Sequence, residues 1–126
     1  MSTHTATLFD LDAYMRGFEA WDADTVLAMY ADDIELIQID RDNPPSSPRI
    51  GHGKEILRGI MTYGAAAGVT ITTESAVAGQ ERAAATFTCT FPDGRSVVAN
   101  VILDLRDGVV VRHHEVAVGD RGQTTG

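Results

Sequence analysis

The sequence has little cysteine, little positive charge and no long apolar run, and each shortage excludes a class of protein. Its single cysteine, Cys89, rules out an internal disulfide and a cysteine-based zinc site. Ten basic residues against eighteen acidic ones give a formal net charge of −8, so we expect neither nucleic acid nor a membrane surface as a partner. No segment approaches the roughly 20 apolar residues of a membrane span, and the first 25 residues are too acidic for a signal sequence. These features predict a cytoplasmic protein.

The residues that are present fit one globular domain. The chain has 126 residues, of which 44% are hydrophobic, and this length suits a single hydrophobic core. We therefore predict one domain over residues 1–126, with an ordered core at about 7–118 and a polar tail at 119–126.

Helical periodicity marks the first half of the chain. Apolar residues recur every three or four positions over residues 7–21, which predicts an amphipathic helix that Thr7 can cap. A second, shorter helix is predicted to carry the apolar residues 26–30. A third begins near Ile56 and stops at Gly64.

A strand and a long loop lie between the second and third helices. Residues 34–40 alternate in polarity, and the strand that they predict has Gln38 and Asp40 on the same face as Leu36. Three prolines and two glycines in residues 41–53 predict an irregular loop.

The second half of the chain has the period of two that strands show. Strands are predicted near residues 69–78, 83–91, 96–106 and 109–118. They are separated by Gly79-Gln80, Asp93-Gly94 and Asp107-Gly108, and Asp-Gly is a strong hairpin signal. Helices followed by a meander predict an α+β fold, with helices packed on one face of a curved antiparallel sheet.

The two Asp-Gly turns also predict which side chains share a face of this sheet. With two-residue turns, Phe87 lies opposite Asn100, Ile102 opposite His113, and Asn100 opposite Glu115. One face then combines aromatic bulk with three neighbouring polar groups, which is typical of a small-molecule pocket. A one-residue bulge in either hairpin would exchange these assignments on one strand.

Proton transfer is the chemistry that His113 and Glu115 suggest. An imidazole titrates near neutral pH, and a carboxylate can orient it or act as the base itself. The alternative is a solvated terminal strand whose alternating polar residues have no role. Because His113 and His114 are adjacent and point to opposite faces of a strand, we expect no metal site, and no cofactor is implied.

The other face of the predicted sheet is apolar, and no helix remains to cover it. We therefore expect a symmetric homodimer in which two such faces pack together.

The order and spacing of these elements resemble the nuclear-transport-factor-2-like (NTF2-like, or cystatin-like) superfamily, whose fold is a cone that encloses a pocket. Within it the chain resembles the SnoaL-like and ketosteroid-isomerase-like branch. Residues 14–33 are similar to the first two helices of the isomerase, and Val97-Val98-Ala99 resembles its third long strand. The stretch Arg112-His113-His114-Glu115 is similar to the Glu-His-Trp-Asp stretch of SnoaL-like polyketide cyclases.

The resemblance transfers catalytic positions only in part. The oxyanion-hole tyrosine of the isomerase falls on Tyr14, its general-base aspartate on Gln38, and its second oxyanion-hole acid near Ile102. Because Gln38 takes no proton at neutral pH and Ile102 offers no donor, we expect no true ketosteroid isomerase activity. Similarity to the cyclases instead implies a functional histidine at His113 and an acid at Glu115.

We therefore predict a cofactor-independent enzyme of the isomerase or cyclase type, acting by acid/base chemistry on an apolar carbonyl compound. His113 and Glu115 would transfer protons, while Tyr14 and Asn100 would stabilise the enolate oxygen. The predicted contacts with the substrate are Asn100, Gln38, Asp40, Phe87, Trp21 and Ile102. Two alternatives remain open, a non-catalytic domain that binds a hydrophobic ligand and a dimerisation module with a filled cone.

Overall fold

The computed structural model describes residues 8–120, and in that part of the chain three helices pack on a six-stranded curved sheet. The helices are α1 (Leu11–Glu19), α2 (Ala23–Leu27) and α3 (Glu55–Ala66). The strands are β1 (Tyr30–Ile39), β2 (Arg49–His52), β3 (Thr70–Ala78), β4 (Arg82–Thr90), β5 (Ser96–Arg106) and β6 (Val109–Gly119). The predicted α+β class is confirmed. No helix in residues 8–120 is long and apolar enough to cross a membrane.

Aspartates cap the two N-terminal helices. The Asp10 carboxylate accepts a hydrogen bond from the backbone N–H of Ala13, so Asp10 caps α1. Thr7, the predicted cap, lies outside the described residues. Asp22 caps α2 by accepting from both the backbone N–H and the hydroxyl of Thr25. Both carboxylates satisfy donors that a helix start leaves unpaired.

The second helix is shorter than predicted. It ends at Leu27, and Tyr30 is the first residue of β1 rather than a helical residue. The cause is tertiary, because Tyr30 pairs with Val110 of β6 and the carbonyl of Met29 accepts from the N–H of Val110. Sheet pairing thus overrides the helical periodicity of this segment.

The predicted loop at residues 41–53 contains a short strand. The three prolines are at positions 44, 45 and 48, and β2 begins directly after the last of them. This strand pairs antiparallel with β1, with His52 opposite Glu35. The prediction of no regular structure here was therefore wrong for four residues at the edge of the sheet.

The sheet has the strand order β2-β1-β6-β5-β4-β3. All neighbouring strands are antiparallel except β1 and β6, which are parallel. The prediction of a wholly antiparallel sheet was wrong at this one pair. The parallel pair joins the first strand to the last and places Gln38 beside Glu115.

Gly64 lies inside α3 and does not stop it, contrary to the prediction. The helix runs on to Ala66, and Gly68 follows it with a φ of +72°. Gly64 is buried because the ring of Trp21 lies against it, where a Cβ would meet the indole. The indole N–H donates to the carbonyl of Val69 at 2.8 Å. Trp21 thereby ties the corner between α1 and α2 to α3 and to the start of β3.

The helices cover the inner face of the sheet, which we define by the buried side chains of Leu36, Gln38, Phe87, Leu103 and His113. The other face, called the outer face, carries alternate residues of the same strands. The hydrophobic core lies between α1, α2, α3 and the inner face.

The predicted register between β4 and β5 was wrong by one residue. The connection is the three residues 92–94, since the N–H of Phe91 donates to the carbonyl of Arg95. Phe87 therefore lies opposite Ala99 and not opposite Asn100. Asn100 and Ile102, predicted to line the pocket, lie instead on the outer face and are exposed.

A bulge changes the register a second time, between β5 and β6. Leu105 pairs with Val110 and Asp104 pairs with Arg112, so Val111 is an extra residue in β6. His113 consequently lies opposite Leu103. Each one-residue shift reverses the faces, so the two shifts cancel for β6. His113 and Glu115 share the inner face with Phe87, as predicted.

Candidate functional site

Four polar side chains from three elements meet on the inner face. Tyr14 comes from α1 and Tyr30 from the start of β1, while His113 and Glu115 are two residues apart on β6 and so point the same way. We call Tyr14, Tyr30, His113 and Glu115 the buried network.

Three consecutive hydrogen bonds connect the buried network. The hydroxyl oxygens of Tyr14 and Tyr30 are 2.8 Å apart, and the Tyr30 hydroxyl is 2.7 Å from Nδ1 of His113. Nε2 of His113 is 3.1 Å from Oε1 of Glu115. Both ring nitrogens of the histidine are therefore engaged.

Burial differs sharply along the buried network. Tyr14 is 0% exposed, Tyr30 2% and His113 1%. The Glu115 side chain is 22% exposed, which makes it the accessible end of the network. Only Glu115 can therefore meet another molecule without rearrangement of the other three.

The protein interior keeps both tyrosines protonated. Burial raises the pKa of Tyr14 well above its ordinary value, and the negative charge of Glu115 raises it further. Burial likewise raises the pKa of Tyr30, with the neighbouring Tyr14 and the charge of Glu115 adding to it. Both phenols are thus available as hydrogen-bond donors.

Cys89 on β4 is also affected by this site. Burial raises the pKa of its thiol, and the charge of Glu115 acts in the same direction. Cys89 is partly buried and packs against the hydrophobic core, and the raised pKa disfavours the thiolate, which is the nucleophilic form.

Aromatic rings surround the Tyr14 end of the buried network. Ring centroids of Phe9, Phe18, Tyr30 and Phe87 lie 5.2, 5.0, 6.2 and 6.5 Å from that of Tyr14. Phe87, a predicted substrate contact, is 5% exposed and takes part in this cluster. The aromatic packing holds the tyrosine in place and keeps its end of the network dry.

Gln38 is the polar neighbour of Glu115. The two residues are paired across the parallel strands β1 and β6, and Gln38 is 7% exposed. A neutral amide that can donate a hydrogen bond therefore stands beside the accessible carboxylate.

The remaining predicted contacts lie outside this group. Asn100 accepts a hydrogen bond from the hydroxyl of Thr86 on the outer face, so the prediction that it neighbours Glu115 was wrong. Asp40 accepts from two backbone N–H groups and the side chain of Asn43 in its own turn. Trp21, as described, is bound to Val69.

Tyr30 is the member of the buried network that the sequence reading missed. The helical pattern of residues 26–30 made it a core residue of a helix. A signal was present, because Tyr30 stands at an even spacing from Ile34, Leu36 and Gln38, the inner residues of the predicted strand.

A metal site is not found in the described part of the chain. Residues 8–120 contain no group of three or more His, Cys, Asp or Glu side chains that could hold a metal ion.

The family comparison matches most of the chain. A model of the SnoaL-like domain matches residues 11–113. No curated protein sequence matches the chain significantly.

Solved structures show the same fold at low sequence identity. A candidate ketosteroid isomerase from Kribbella flavida has a TM-score of 0.70 at 18% identity and covers 92% of this chain and 80% of its own. A candidate polyketide cyclase from Xanthomonas campestris has a TM-score of 0.62 at 17% identity, with 84% and 85% covered. An NTF2-like protein of unknown function from Cytophaga hutchinsonii has a TM-score of 0.62 at 11% identity, with 91% and 92% covered.

Proposed function

Because this chain belongs to the SnoaL-like domain family, we propose that it is a small-molecule enzyme of the isomerase or cyclase type. Its reaction is the removal and return of a proton on a carbon next to the carbonyl group of an apolar compound. The names of two similar folds, a ketosteroid isomerase and a polyketide cyclase, point to the same reaction type. The proposed reaction uses side chains alone and no cofactor.

The observation that carries the proposal is the position of Glu115. Its carboxylate is the accessible end of a network whose other members are buried, and His113 holds one of its oxygens at 3.1 Å. A carboxylate that is fixed on one side and open on the other has the geometry of a general base.

The roles that we propose differ from those expected from the sequence. Both nitrogens of His113 are occupied and the ring is 1% exposed, so His113 orients Glu115 and does not touch the substrate. Glu115 takes the proton from carbon and returns it to the product. Tyr14, bonded to Tyr30, supports this arrangement from a distance.

The developing enolate oxygen needs a hydrogen-bond donor close to the base, and a neutral amide can serve as this donor. Gln38 stands beside Glu115 and offers two amide N–H groups, which replace the Asn100 donor expected from the sequence. The substrate carbonyl would then lie between Gln38 and the base.

Hydrogen exchange at carbon tests this proposal without knowledge of the natural substrate. Three apolar ketones, 2-tetralone, 1-indanone and 3-cyclohexen-1-one, are incubated with the protein in D₂O and followed by proton NMR. We expect catalysed exchange, and for the third ketone migration of its double bond. Loss of a general base in Glu115→Gln should slow the rate by about 10²- to 10⁴-fold.

Glu74→Gln is the matched control, because Glu74 is exposed on β3. It should exchange at the wild-type rate. An equal rate in Glu115→Gln and wild type would reject Glu115 as the base.

The enclosure of Tyr14, Tyr30 and His113 favours a second candidate, a site that holds an apolar ligand without chemistry. In that case addition of the ketones shifts the protein's amide resonances around Gln38 and Glu115, but no deuterium enters the ketones. Binding without exchange would therefore select the second candidate over the first.

A further inference from the structure

We infer that Tyr30 is a positioning residue that holds His113 as the neutral tautomer with its proton on Nε2. His113 then donates permanently to Glu115 and leaves one carboxylate oxygen free for the reaction. This inference deepens the proposed function and rests on it for its catalytic meaning.

The contact with Glu115 places the proton of His113 on Nε2. An ionised carboxylate only accepts hydrogen bonds, so the contact of 3.1 Å between Oε1 and Nε2 of His113 requires the proton on Nε2. A neutral imidazole then has a lone pair on Nδ1. The Tyr30 hydroxyl, 2.7 Å away, must donate to that lone pair.

The direction of the hydrogen bond between Tyr14 and Tyr30 follows from this. Tyr30 has one hydroxyl proton and uses it on His113, so the contact of 2.8 Å with Tyr14 requires Tyr14 to donate to the oxygen of Tyr30. Every donor in the buried network then has an acceptor. All three bonds point from the interior toward Glu115.

The other protonation states of His113 break this pattern. With the proton moved to Nδ1, a lone pair on Nε2 would face the carboxylate at 3.1 Å. An imidazolium would donate to Tyr30, which would donate to Tyr14 in turn. The Tyr14 proton would then lose the hydrogen bond that the structure gives it within residues 8–120, in a side chain that is 0% exposed.

No lysine or arginine of residues 8–120 forms an ion pair with the buried network. The titratable groups in this network or coupled to its charge are Tyr14 on α1, Tyr30 on β1, Cys89 on β4 and Glu115 on β6. Glu115 holds the proton on Nε2 and Tyr30 donates to Nδ1, so these two contacts together select the tautomer.

Nitrogen NMR of histidine-labelled protein reads the tautomer directly. In wild type we expect Nε2 of His113 to have the shift of a protonated nitrogen and Nδ1 that of an unprotonated one, with the signals assigned by their loss in His113→Gln. Tyr30→Phe removes the donor to Nδ1 and leaves the partly exposed Glu115 as the remaining contact, so both shifts should move toward an average of the two tautomers. Tyr63→Phe, which changes an exposed ring on α3, is the matched control and should leave both shifts unchanged.

A tautomer with the proton on Nδ1 in wild type would overturn the inference, and so would an unchanged tautomer in a folded Tyr30→Phe. Glu115→Gln provides a second measurement should Tyr30→Phe not fold. Since a glutamine can donate as well as accept, it removes the fixed end of the network and should also release both tautomers.

Turnover separates this inference from the proposed function. If the ketones exchange, Tyr30→Phe should lower kcat by about 10-fold with an unchanged KM, the lower end of the effect of an orienting partner. A locked tautomer in a protein without exchange refutes the proposed function alone. Exchange in a protein whose tautomer is not locked refutes the role of Tyr30 alone.

Discussion

Tyr14 and Tyr30 place two phenol hydroxyls 2.8 Å apart in the interior, and this pair decides how the molecule responds to alkali. Both pKa values are raised above the ordinary value of about 10, chiefly by burial. The folded state therefore favours the protonated phenols. Their contribution to stability is complete below the ordinary pKa and is lost as the pH rises through the raised values.

We predict that Tyr14 and Tyr30 ionise only when the protein unfolds. Of the three tyrosines, two should then form tyrosinate together with the loss of the circular dichroism signal. The absorbance of tyrosinate, recorded in parallel with circular dichroism, measures this. In Tyr14→Phe the coincident step should shrink from two tyrosines to one. Ionisation of all three in a protein that is still folded would contradict the burial of this pair.

At the scale of the element, β6 supplies both polar residues and also the irregularity that aims them. If Val111 were paired with Asp104 in a regular ladder, Arg112 would lie opposite Leu103 on the inner face and His113 opposite Ile102 on the outer face. Because Val111 is an unpaired extra residue, the alternation of β6 places His113, two residues later, on the inner face. A single residue of backbone thus determines which side chains the core receives.

We predict that deleting Val111 leaves His113 on the inner face. Asp104 would still pair with Arg112, now in a regular ladder, and Leu103 with His113. The free energy of unfolding should change by less than about 2 kcal/mol, and the nitrogen shifts of His113 should be kept. Chemical denaturation and NMR measure these two quantities.

An alanine inserted between Arg112 and His113 is the opposite change at the same place. The insertion turns the side chains of His113 and Glu115 to the outer face and should abolish the hydrogen bond between His113 and Tyr30. If both variants behave alike, the bulge is not what aims this strand.

The strand register could be predicted from the sequence only in part. The Asp-Gly signals at 93–94 and 107–108 located both hairpins, and the strand boundaries near them agree with the structure to within a residue or two. The faces of Asn100 and Ile102 could not be obtained in this way. The turn at residues 92–94 has three residues instead of the two that were predicted. Because side chains alternate between the two faces of a strand, one extra residue in the turn moves every side chain of β5 to the face opposite the predicted one.

The buried network was accessible to sequence reasoning only in part. His113, Glu115 and Tyr14 were identified, but Tyr30 was assigned to a helix. Its true position depends on pairing with Val110, about 80 residues away, and no local pattern contains that information. The proposed roles of the two residues rest on their burial, which the sequence does not give, since His113 is 1% exposed and the Glu115 side chain 22%.

At the scale of the whole molecule, no helix of residues 8–120 covers the outer face of the sheet. Its exposed apolar side chains are Val77, Val98, Ile102, Val116 and Val118. Arg82 forms an ion pair with Asp104 on this face, and Arg112 forms one with Glu35. Each pair combines one positive and one negative charge and so adds no net charge to the face, whereas the whole chain has a formal net charge of −8. A second, equally acidic copy can approach this face without the repulsion that other surfaces would present.

We propose that this face binds a second copy of the chain. Ile102 is 46% exposed, and a lysine there would put a charge into an apolar contact. Ile102→Lys should weaken the dimer by at least about 100-fold, which corresponds to about 2.7 kcal/mol. Analytical ultracentrifugation measures the change.

Tyr63→Lys, at an apolar residue of α3 that is 67% exposed, is the control and should leave the dimer intact. A wild-type protein that is monomeric at high concentration would reject this interface.

The hydrogen bond between Tyr30 and His113 joins residues 83 positions apart, and this separation governs when the site comes into existence. Closing so long a loop is unfavourable in entropy until the contacts that it permits are made, so long-range pairing is a late and slow event in folding. During synthesis both tyrosines are made long before the strand that carries their partner. A nascent chain that lacks β6 has the three helices and five strands in its sequence, but it lacks the strand that joins β1 to β5 and carries His113 and Glu115. The proposed activity would therefore report completion of folding, because the step that completes the sheet also assembles the buried network.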